Sequence, residues 1–495
     1  MISLELDNRF IRLRGLDRRL TAAIDEVTSY KVAGAHFTPA FRAKRWDGKE
    51  HLLTYKSSAG YRVPTGMFED VLDVLREQGV EWKLDASARR RPGKAIKLAW
   101  NPKVELRGYQ VEAVEALLDE ARGEARGSGI LHMPIRSGKT KTAAGVIYRL
   151  KARTLFIVPS QMLLHQTRAS LAESFDRKLD EIGIVGDSEW IERDVTVASV
   201  QTLTRAFGGK RTKTVNGKKK TITVPQDPRY SALRVAFDCV IFDECHHLRA
   251  EQWRSIVLDF DSRFKIGLSA TVYFDRTRQQ ERGVIWLRAC TGKVVFSVSP
   301  SRLIDEGYLM RPDIRLYRVT EPEGLDDEDW SGELVDQAIH FNDWRNTKIT
   351  SIATDLIERG LKTLIVTNRK EQAGLLQESL GRRGVRAGVI TGDDKADARK
   401  RLVKAFVDGS LQALIGTVFG EGIDIPEIDA VINAEGGRDV KATVQRMRCL
   451  TPHDGKTEAI FVDFMDQTNG YFAKHSRERL KTYREEVAFQ IRVVE

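Results

Sequence analysis

Pro134-Ile135-Arg136-Ser137-Gly138-Lys139-Thr140 lies between an apolar run, ILHM (130–133), and an amphipathic stretch, KTKTAAGVIYRL (139–150). A loop that ends a strand and opens a helix aims several backbone N–H groups, and the positive end of the helix dipole, at an anion. Gly138 lets the backbone approach closely. Lys139 can reach the outer phosphates of a nucleotide, and the Thr140 hydroxyl can hold Mg²⁺.

Working outward from that loop, apolar runs alternate with helical or loop segments: TLFIVP (154–159), VTVASV (195–200), CVIFDE (239–244) and FKIGLSA (264–270). Buried runs joined by crossovers predict a parallel sheet with helices on both faces. The pattern pauses around Pro312 and the acidic EPEGLDDEDW (321–330). It restarts with KTLIVTN, VRAGVITG, ALIGTV, AVINAE and AIFVDF between residues 362 and 464. The expectation is an α/β chain with two tandem doubly wound parallel-sheet units, 96–312 and 313–495. Ahead of them, residues 1–95 mix strand-like runs with one helix, FEDVLDVLREQG (68–79), and end in DASARRRPGKA (85–95), whose composition is that of a linker. A small α+β domain is expected there.

Val240-Ile241-Phe242-Asp243-Glu244-Cys245-His246-His247 is an apolar strand ending in two adjacent carboxylates. Ligands of doubly wound sheets bind at the carboxyl ends of the strands. Asp243 is therefore a candidate Mg²⁺ partner and Glu244 a candidate base for an attacking water. A zinc site on His246 and His247 lacks a second ligand pair. Coupling of His246 to Ser269-Ala270-Thr271 suits these residues better.

The 495 residues exceed one core at roughly 100–200 residues per domain. Four cysteines, Cys239, Cys245, Cys290 and Cys449, are too few and scattered for a disulfide framework. No apolar run reaches the ~18 residues of a membrane span, and a cytoplasmic setting is expected. Eighty Lys+Arg against seventy Asp+Glu give a net charge of +10, which favours a polyanion partner over a membrane.

The ordered set of motifs resembles the superfamily 2 helicases over roughly residues 100–465. Arg107-Gly108-Tyr109-Gln110 opens the first unit as that family's adenine-recognition element does. The phosphate loop, Asp243-Glu244-Cys245-His246, Ser269-Ala270-Thr271 and Gly416–Asp424 follow in family order. Within the superfamily the chain looks most like the phage UvsW-type and XPB-type DNA helicases. Arg45-Trp46-Asp47-Gly48-Lys49 is similar to the small DNA-binding domain ahead of the UvsW-type motor.

The resemblance implies two RecA-like motor domains, ATP and Mg²⁺ as cofactors, and DNA, duplex, forked or branched, as partner, with RNA less favoured. Arg107 and Gln110 would contact adenine. Arg136, Ser137, Gly138, Lys139 and Thr140 would hold the phosphates, with Thr140 and Asp243 at the metal and Lys139, Asp243 and Glu244 catalytic. His246, Ser269 and Thr271 would couple hydrolysis to movement, and Gly422 and Asp424 would meet the nucleotide from the second motor. Pro159, Gln161, Ser199, Gln201, Thr367 and Thr417 would line the nucleic-acid track.

Two departures stand out. Ile135-Arg136 occupies the place of the usual Thr-Gly. The last motif, Gln-x-x-Gly-Arg-x-x-Arg in relatives, reads Gln445-Arg446-Met447-Arg448-Cys449-Leu450-Thr451, so the charge that faces the γ-phosphate would come from Arg448 or, in a shifted register, Arg446. A non-catalytic DNA-structure binder and a duplex translocase that does not part strands are the alternatives to a helicase. A monomer is expected, in the host cytoplasm if the chain is phage-encoded, with roles in replication, recombination or repair.

Residues 205–225, RAFGGKRTKTVNGKKKTITVP, carry seven Lys/Arg and no acid. Asn216-Gly217 between strand-forming flanks predicts a β-hairpin, with Lys213, Lys218, Lys219 and Lys220 on phosphates. Near the start of the chain, Trp46 and Tyr55 among Arg42, Lys44, Arg45 and Lys49 suit stacking on a base beside phosphate contact. The basic run Lys474–Tyr483 reads as a helix with a solvated face.

Overall fold

The structure is a computed structural model. It describes every residue except 33, 58–59, 216–217, 272–281, 323–324, 326–331, 418–424, 438–446 and 495, and leaves out the side chains of 210–222, 282, 396 and 448. The chain divides into two compact units, Met1–Met133 with Gly138–Ser297, and Pro134–Ser137 with Val298–Glu495.

In the first unit, the opening residues build a five-stranded sheet in the order Thr54–Lys56, Gly60–Pro64, Phe10–Arg14, Ile2–Leu6, Trp82–Asp85. Ile2–Leu6 runs antiparallel to Phe10–Arg14 and parallel to Trp82–Asp85. Helices Arg18–Thr28 and Phe68–Glu77 cover it, and its core (Leu4, Ile11, Ile24, Val71, Leu75) continues into Ile285 and Ala289 of helix Arg282–Thr291. Gly66 lies so close to that helix that a Cβ there would meet the Arg288 carbonyl oxygen at 2.2 Å.

The stretch read as a linker is pinned down, not loose. Arg89 is 7 % exposed and donates to Glu124 at 3.0 Å and to the Arg263 carbonyl at 3.0 Å. Arg90 donates to Asp238 at 2.7 Å, and Asp238 also accepts from the Gly93 N–H at 3.0 Å. Burial draws the Arg89 guanidinium down to about 10, so it keeps its charge at neutral pH. Composition marked this stretch as a linker; the carboxylates and carbonyls that hold it come from positions up to 174 residues away.

The second sheet of this unit has eight strands in the order Glu189–Ile191, Gly183–Gly186, Val195–Ser199, Thr154–Val158, Cys239–Phe242, Phe264–Ser269, Gly129–His132, Val294–Ser297. All neighbours are parallel except the first pair. The five strands from Val195–Ser199 to Gly129–His132 contain the five apolar runs of the sequence. They are buried on both faces, which is why they show no alternation. Strand and helix then place the ends of Gly129–His132, Cys239–Phe242 and Phe264–Ser269 side by side at one sheet edge.

Strands Gly209–Val215 and Lys218–Val224 pair antiparallel as a separate two-stranded sheet, with Val215 opposite Lys218 and Lys213 opposite Lys220. The Asn216-Gly217 pair lies outside the described residues.

The second unit carries a seven-stranded, all-parallel sheet in the order Ala387–Ile390, Ala413–Gly416, Thr363–Val366, Ala430–Asn433, Ile460–Asp466, Asp313–Val319, Gln490–Val494. Beneath it lies an ionic network closed to solvent. Arg345 donates to Asp466 (2.8 Å) and the Ala434 carbonyl (2.6 Å). Arg479 donates to Asp463 (2.8 Å) and to the carbonyls of Gly437 (2.7 Å) and Phe464 (2.6 Å). Tyr483 and Asn433 complete the shell of Asp463. Helix Gly470–Glu485 thus buries His475, Arg479 and Tyr483 and leaves Lys474, Arg477 and Lys481 exposed, so the expected basic helix has a solvated face and a packed one. The arginine is on the inner face because two aspartates meet it there.

Candidate active site

The phosphate loop leaves strand Gly129–His132 and enters helix Lys139–Leu150. Ser137 is buried, its hydroxyl donating to the Pro134 carbonyl at 2.7 Å, so the loop is closed by its own residues. Arg136 and Gly138 are left-handed, at φ 68° and 74°. The positive φ of Gly138 disfavours any other residue, and a Cβ there would stand 2.5 Å from Nε2 of Gln110, which would have to shift. Gln110 in turn accepts from the Arg107 N–H at 2.9 Å and reaches the Gly138 carbonyl with Nε2 at 3.4 Å. Arg107 is steadied by Tyr109, whose hydroxyl accepts from Nη1 at 3.0 Å. The expected adenine element and the phosphate loop are therefore in contact.

At the end of strand Cys239–Phe242, Asp243 is 7 % exposed and its Oδ1 accepts from the Glu244 N–H at 3.0 Å. Glu244 is left-handed at φ 48°, a conformation that costs a non-glycine residue roughly 1–2 kcal/mol. It places the carboxylate 3.3 Å from the Lys139 ammonium, with both side chains nearly buried. Glu244 Oε2 lies 3.2 Å from Nδ1 of His246, and the same nitrogen lies 3.1 Å from the Ser269 hydroxyl. That hydroxyl accepts from the Thr271 N–H at 3.1 Å. One line of contacts thus runs Lys139–Glu244–His246–Ser269–Thr271 across three neighbouring strand ends. His247 stacks on Trp253 (4.7 Å between centroids), away from any metal arrangement, and no cluster of metal-binding side chains occurs among the described residues.

The chemistry of this donor set fits a nucleotide with Mg²⁺. A helix N-terminus, a left-handed glycine, an ammonium and a hydroxyl are the groups that would hold phosphates, and Asp243 would supply the carboxylate for a metal. The sequence reading missed His132, which joins the same edge through Nε2 to the Ala270 carbonyl at 3.2 Å. Burial pulls its pKa down, as does the charge of Lys139, and the bond to Ala270 only partly opposes them. Its position next to the loop was its only signal. Cys245 is packing: burial pushes its thiol well up, and it fills the space left by Gly267.

The expected nucleic-acid residues divide. Gln201 donates to the Pro159 carbonyl, so the ends of the adjacent strands Val195–Ser199 and Thr154–Val158 are tied together. Gln161 opens helix Gln161–Ser174. Ser199 is 2 % exposed and spends its hydroxyl on Thr202 as a helix cap. Thr367 is fully buried, donating to Gln372, while Thr417 is half-buried. Trp46 is half-buried, its Nε1 donating to the Lys49 carbonyl at 2.6 Å. The side chains of Lys213, Lys218, Lys219, Lys220 and Arg448, and residues Gly422, Asp424, Gln445 and Arg446, lie outside what the structure describes.

Comparison with known proteins adds two family matches: the Type III restriction enzyme res subunit over residues 103–274, and the helicase conserved C-terminal domain over 344–448. The DNA 3'-5' translocase XPB2 of Sulfurisphaera tokodaii is 24 % identical over 76 % of this chain and 85 % of its own length. The chain spans about half the length of several other curated relatives it matches. Among solved structures, Saccharomyces cerevisiae Dbp5 bound to RNA and ADP-BeF3 shares the fold at 15 % identity, covering 78 % of this chain and 89 % of that one (TM-score 0.51). Bacteriophage T4 UvsW covers 99 % of this chain and 98 % of that one at 18 % identity (TM-score 0.44). With its motifs in family order, two parallel-sheet units and both helicase regions matched, the chain belongs to the superfamily 2 DNA helicases, which are ATP-hydrolysing motors.

Proposed function

We propose that the chain hydrolyses ATP to drive itself along DNA, opening or remodelling duplex or branched substrates. The observation that supports this reading best is the line of contacts from Lys139 through Glu244 and His246 to Ser269 and Thr271. It links the group that would bind phosphate to the Ser269–Thr271 segment at the end of the neighbouring strand. Without phosphate, Lys139 neutralises Glu244. When Lys139 turns to phosphate, Glu244 loses that partner and can orient a water and take its proton. His246, in contact with both Glu244 and Ser269, would pass the change to Ser269 and Thr271. Mg²⁺ when bound would neutralise phosphate charge, held by Thr140 and Asp243. Arg107 and Gln110 are proposed to meet adenine, Gly422 and Asp424 the nucleotide, and Arg448 or Arg446 the γ-phosphate.

The deciding experiment is ATP hydrolysis measured with single-stranded, duplex and four-way-junction DNA in parallel. Stimulation by DNA with strand separation supports a helicase. Stimulation with movement but no strand separation supports the second reading, a duplex translocase, which the match of residues 103–274 to a restriction-enzyme subunit favours. No stimulation by any DNA would leave a DNA-structure binder.

A further inference from the structure

Between the first and second strands of the small hairpin Ser29–Lys31/Lys49–His51, the chain makes an excursion of short helices, Ala35–Phe37 and Pro39–Arg42. Pro39 and the Thr38 cap start the second helix, and Lys44, left-handed at φ 53°, turns the chain back. The excursion presents a cleft of about 570 Å³. Three rings line it, His36, Phe41 and Trp46, with the cations Arg42, Lys44 and Arg45 and one carboxylate, Asp47. Phe37, 69 % exposed, stacks beside His36 at 4.0 Å.

Two of the rings are held in place. Trp46 is tied by its Nε1 to the Lys49 carbonyl, and Phe41 lies over Gly48, where a Cβ would stand 2.9 Å from Cε2. The one acid is occupied: Asp47 accepts from the Lys49 N–H at 3.0 Å and lies 3.0 Å from Nε2 of His51. A cleft of aromatic faces and three cations, with its one carboxylate already hydrogen-bonded within the fold, suits a polyanion that also offers flat apolar faces. Duplex DNA offers its phosphates but keeps its base faces stacked; a single strand offers both.

We propose that this cleft takes unstacked nucleobases of a single DNA strand, stacking them on Phe41 and His36 while Arg42, Lys44 and Arg45 contact the flanking phosphates. The proposal rests on the reading of the chain as a DNA motor. It moves the stacking role from Trp46, whose edge is engaged in the fold, to the rings that face solvent.

The test uses the full chain and fluorescence anisotropy with three probes: oligothymidylate, an abasic strand of equal length, and a blunt duplex. Phe41→Leu keeps volume and removes the π face. It should weaken oligothymidylate binding by roughly 5- to 100-fold, the range of one stacked base, and leave the abasic strand and the duplex unchanged. Phe41→Tyr should restore it. Unchanged oligothymidylate binding, or equal loss on all three probes, overturns the proposal. A triple Arg42, Lys44, Arg45→Ala protein that loses polyglutamate binding but keeps oligothymidylate binding would reassign the cleft to an acidic protein. If duplex DNA still stimulates hydrolysis while Phe41→Leu binds oligothymidylate normally, only this inference falls. If wild type binds no DNA, the motor reading falls with it.

Discussion

At the scale of the residue, the Lys139–Glu244 pair joins two motifs a hundred positions apart, and its worth is chemical. Both side chains are nearly buried, so each is costly to leave without the other. Glu244→Gln keeps the shape and the Asp243 contact but removes the base. Turnover should fall by about 100- to 10,000-fold, the contribution of a positioned general base, with ATP still bound. Lys139→Ala should lose turnover and nucleotide affinity together. Single-turnover hydrolysis alongside nucleotide binding separates the two, and near-normal turnover in Glu244→Gln refutes the assignment.

His51 offers a pH-dependent counterpart. Its Nδ1 lies 2.7 Å from Asp25 and its Nε2 3.0 Å from Asp47, tying helix Arg18–Thr28 to the excursion that carries the aromatic cleft. Burial works against its charge, but Asp25 and Asp47 outweigh it, and its pKa stands above the ordinary value. A raised folded-state pKa stabilises fully below the unfolded value of about 6.5 and is lost as pH rises through the folded one. The gap in thermal midpoint between wild type and His51→Gln should therefore be widest near pH 5.5 and close toward alkaline pH. A gap that widens with pH would contradict the ion-pair account.

At the scale of the element, the basic hairpin is the clearest case of a local signal making local structure. Thr, Val and Ile on both flanks favour strands, and the paired register runs from Gly209 opposite Val224 to Val215 opposite Lys218. In that register Lys213 is opposite Lys220, and the sequence puts six Lys/Arg and no acid on the two strands, a concentration of like charge that a polyanion would relieve. Replacing Lys218, Lys219 and Lys220 by Ala should lower the salt slope of duplex binding by at most roughly 3. ATP hydrolysis without DNA should not change, and the DNA concentration for half-stimulation should rise. If unwinding alone is lost while the slope holds, the hairpin is a wedge. If neither changes, it is a solvated insertion.

At the scale of the whole molecule, each unit is held by charges that its own fold buries. In the second unit Arg479, on the last long helix, binds Asp463 and backbone carbonyls at Gly437 and Phe464. Arg479→Ala would leave Asp463 buried with its ionic partner removed, at a cost of about 3–5 kcal/mol. Hydrogen exchange should show strands Ile460–Asp466 and Ala430–Asn433 losing protection. Protection in the sheet of strands Thr154–Val158 and Cys239–Phe242 should persist. Wild-type protection throughout would mean that the network adds no net stability.

The sequence by itself determined the buried strands and the order of the chemistry. A strand covered on both faces must be apolar at every position, and a phosphate loop needs glycine, lysine and a hydroxyl at neighbouring positions, so both are visible in a linear text. The short edge strand Glu189–Ile191 escaped that reading because its three residues are mixed in polarity. Tertiary structure alone decided the fate of the cations. Arg89 and Arg479 look solvated in sequence, and each is buried because a carboxylate and carbonyls distant along the chain surround it. It also decided how each aromatic of the cleft is held: the Trp46 ring N–H reaches the Lys49 carbonyl, while the Phe41 ring packs over Gly48. Patterns along the chain record burial and local turns; partnership between charges depends on separations in space that no local pattern encodes.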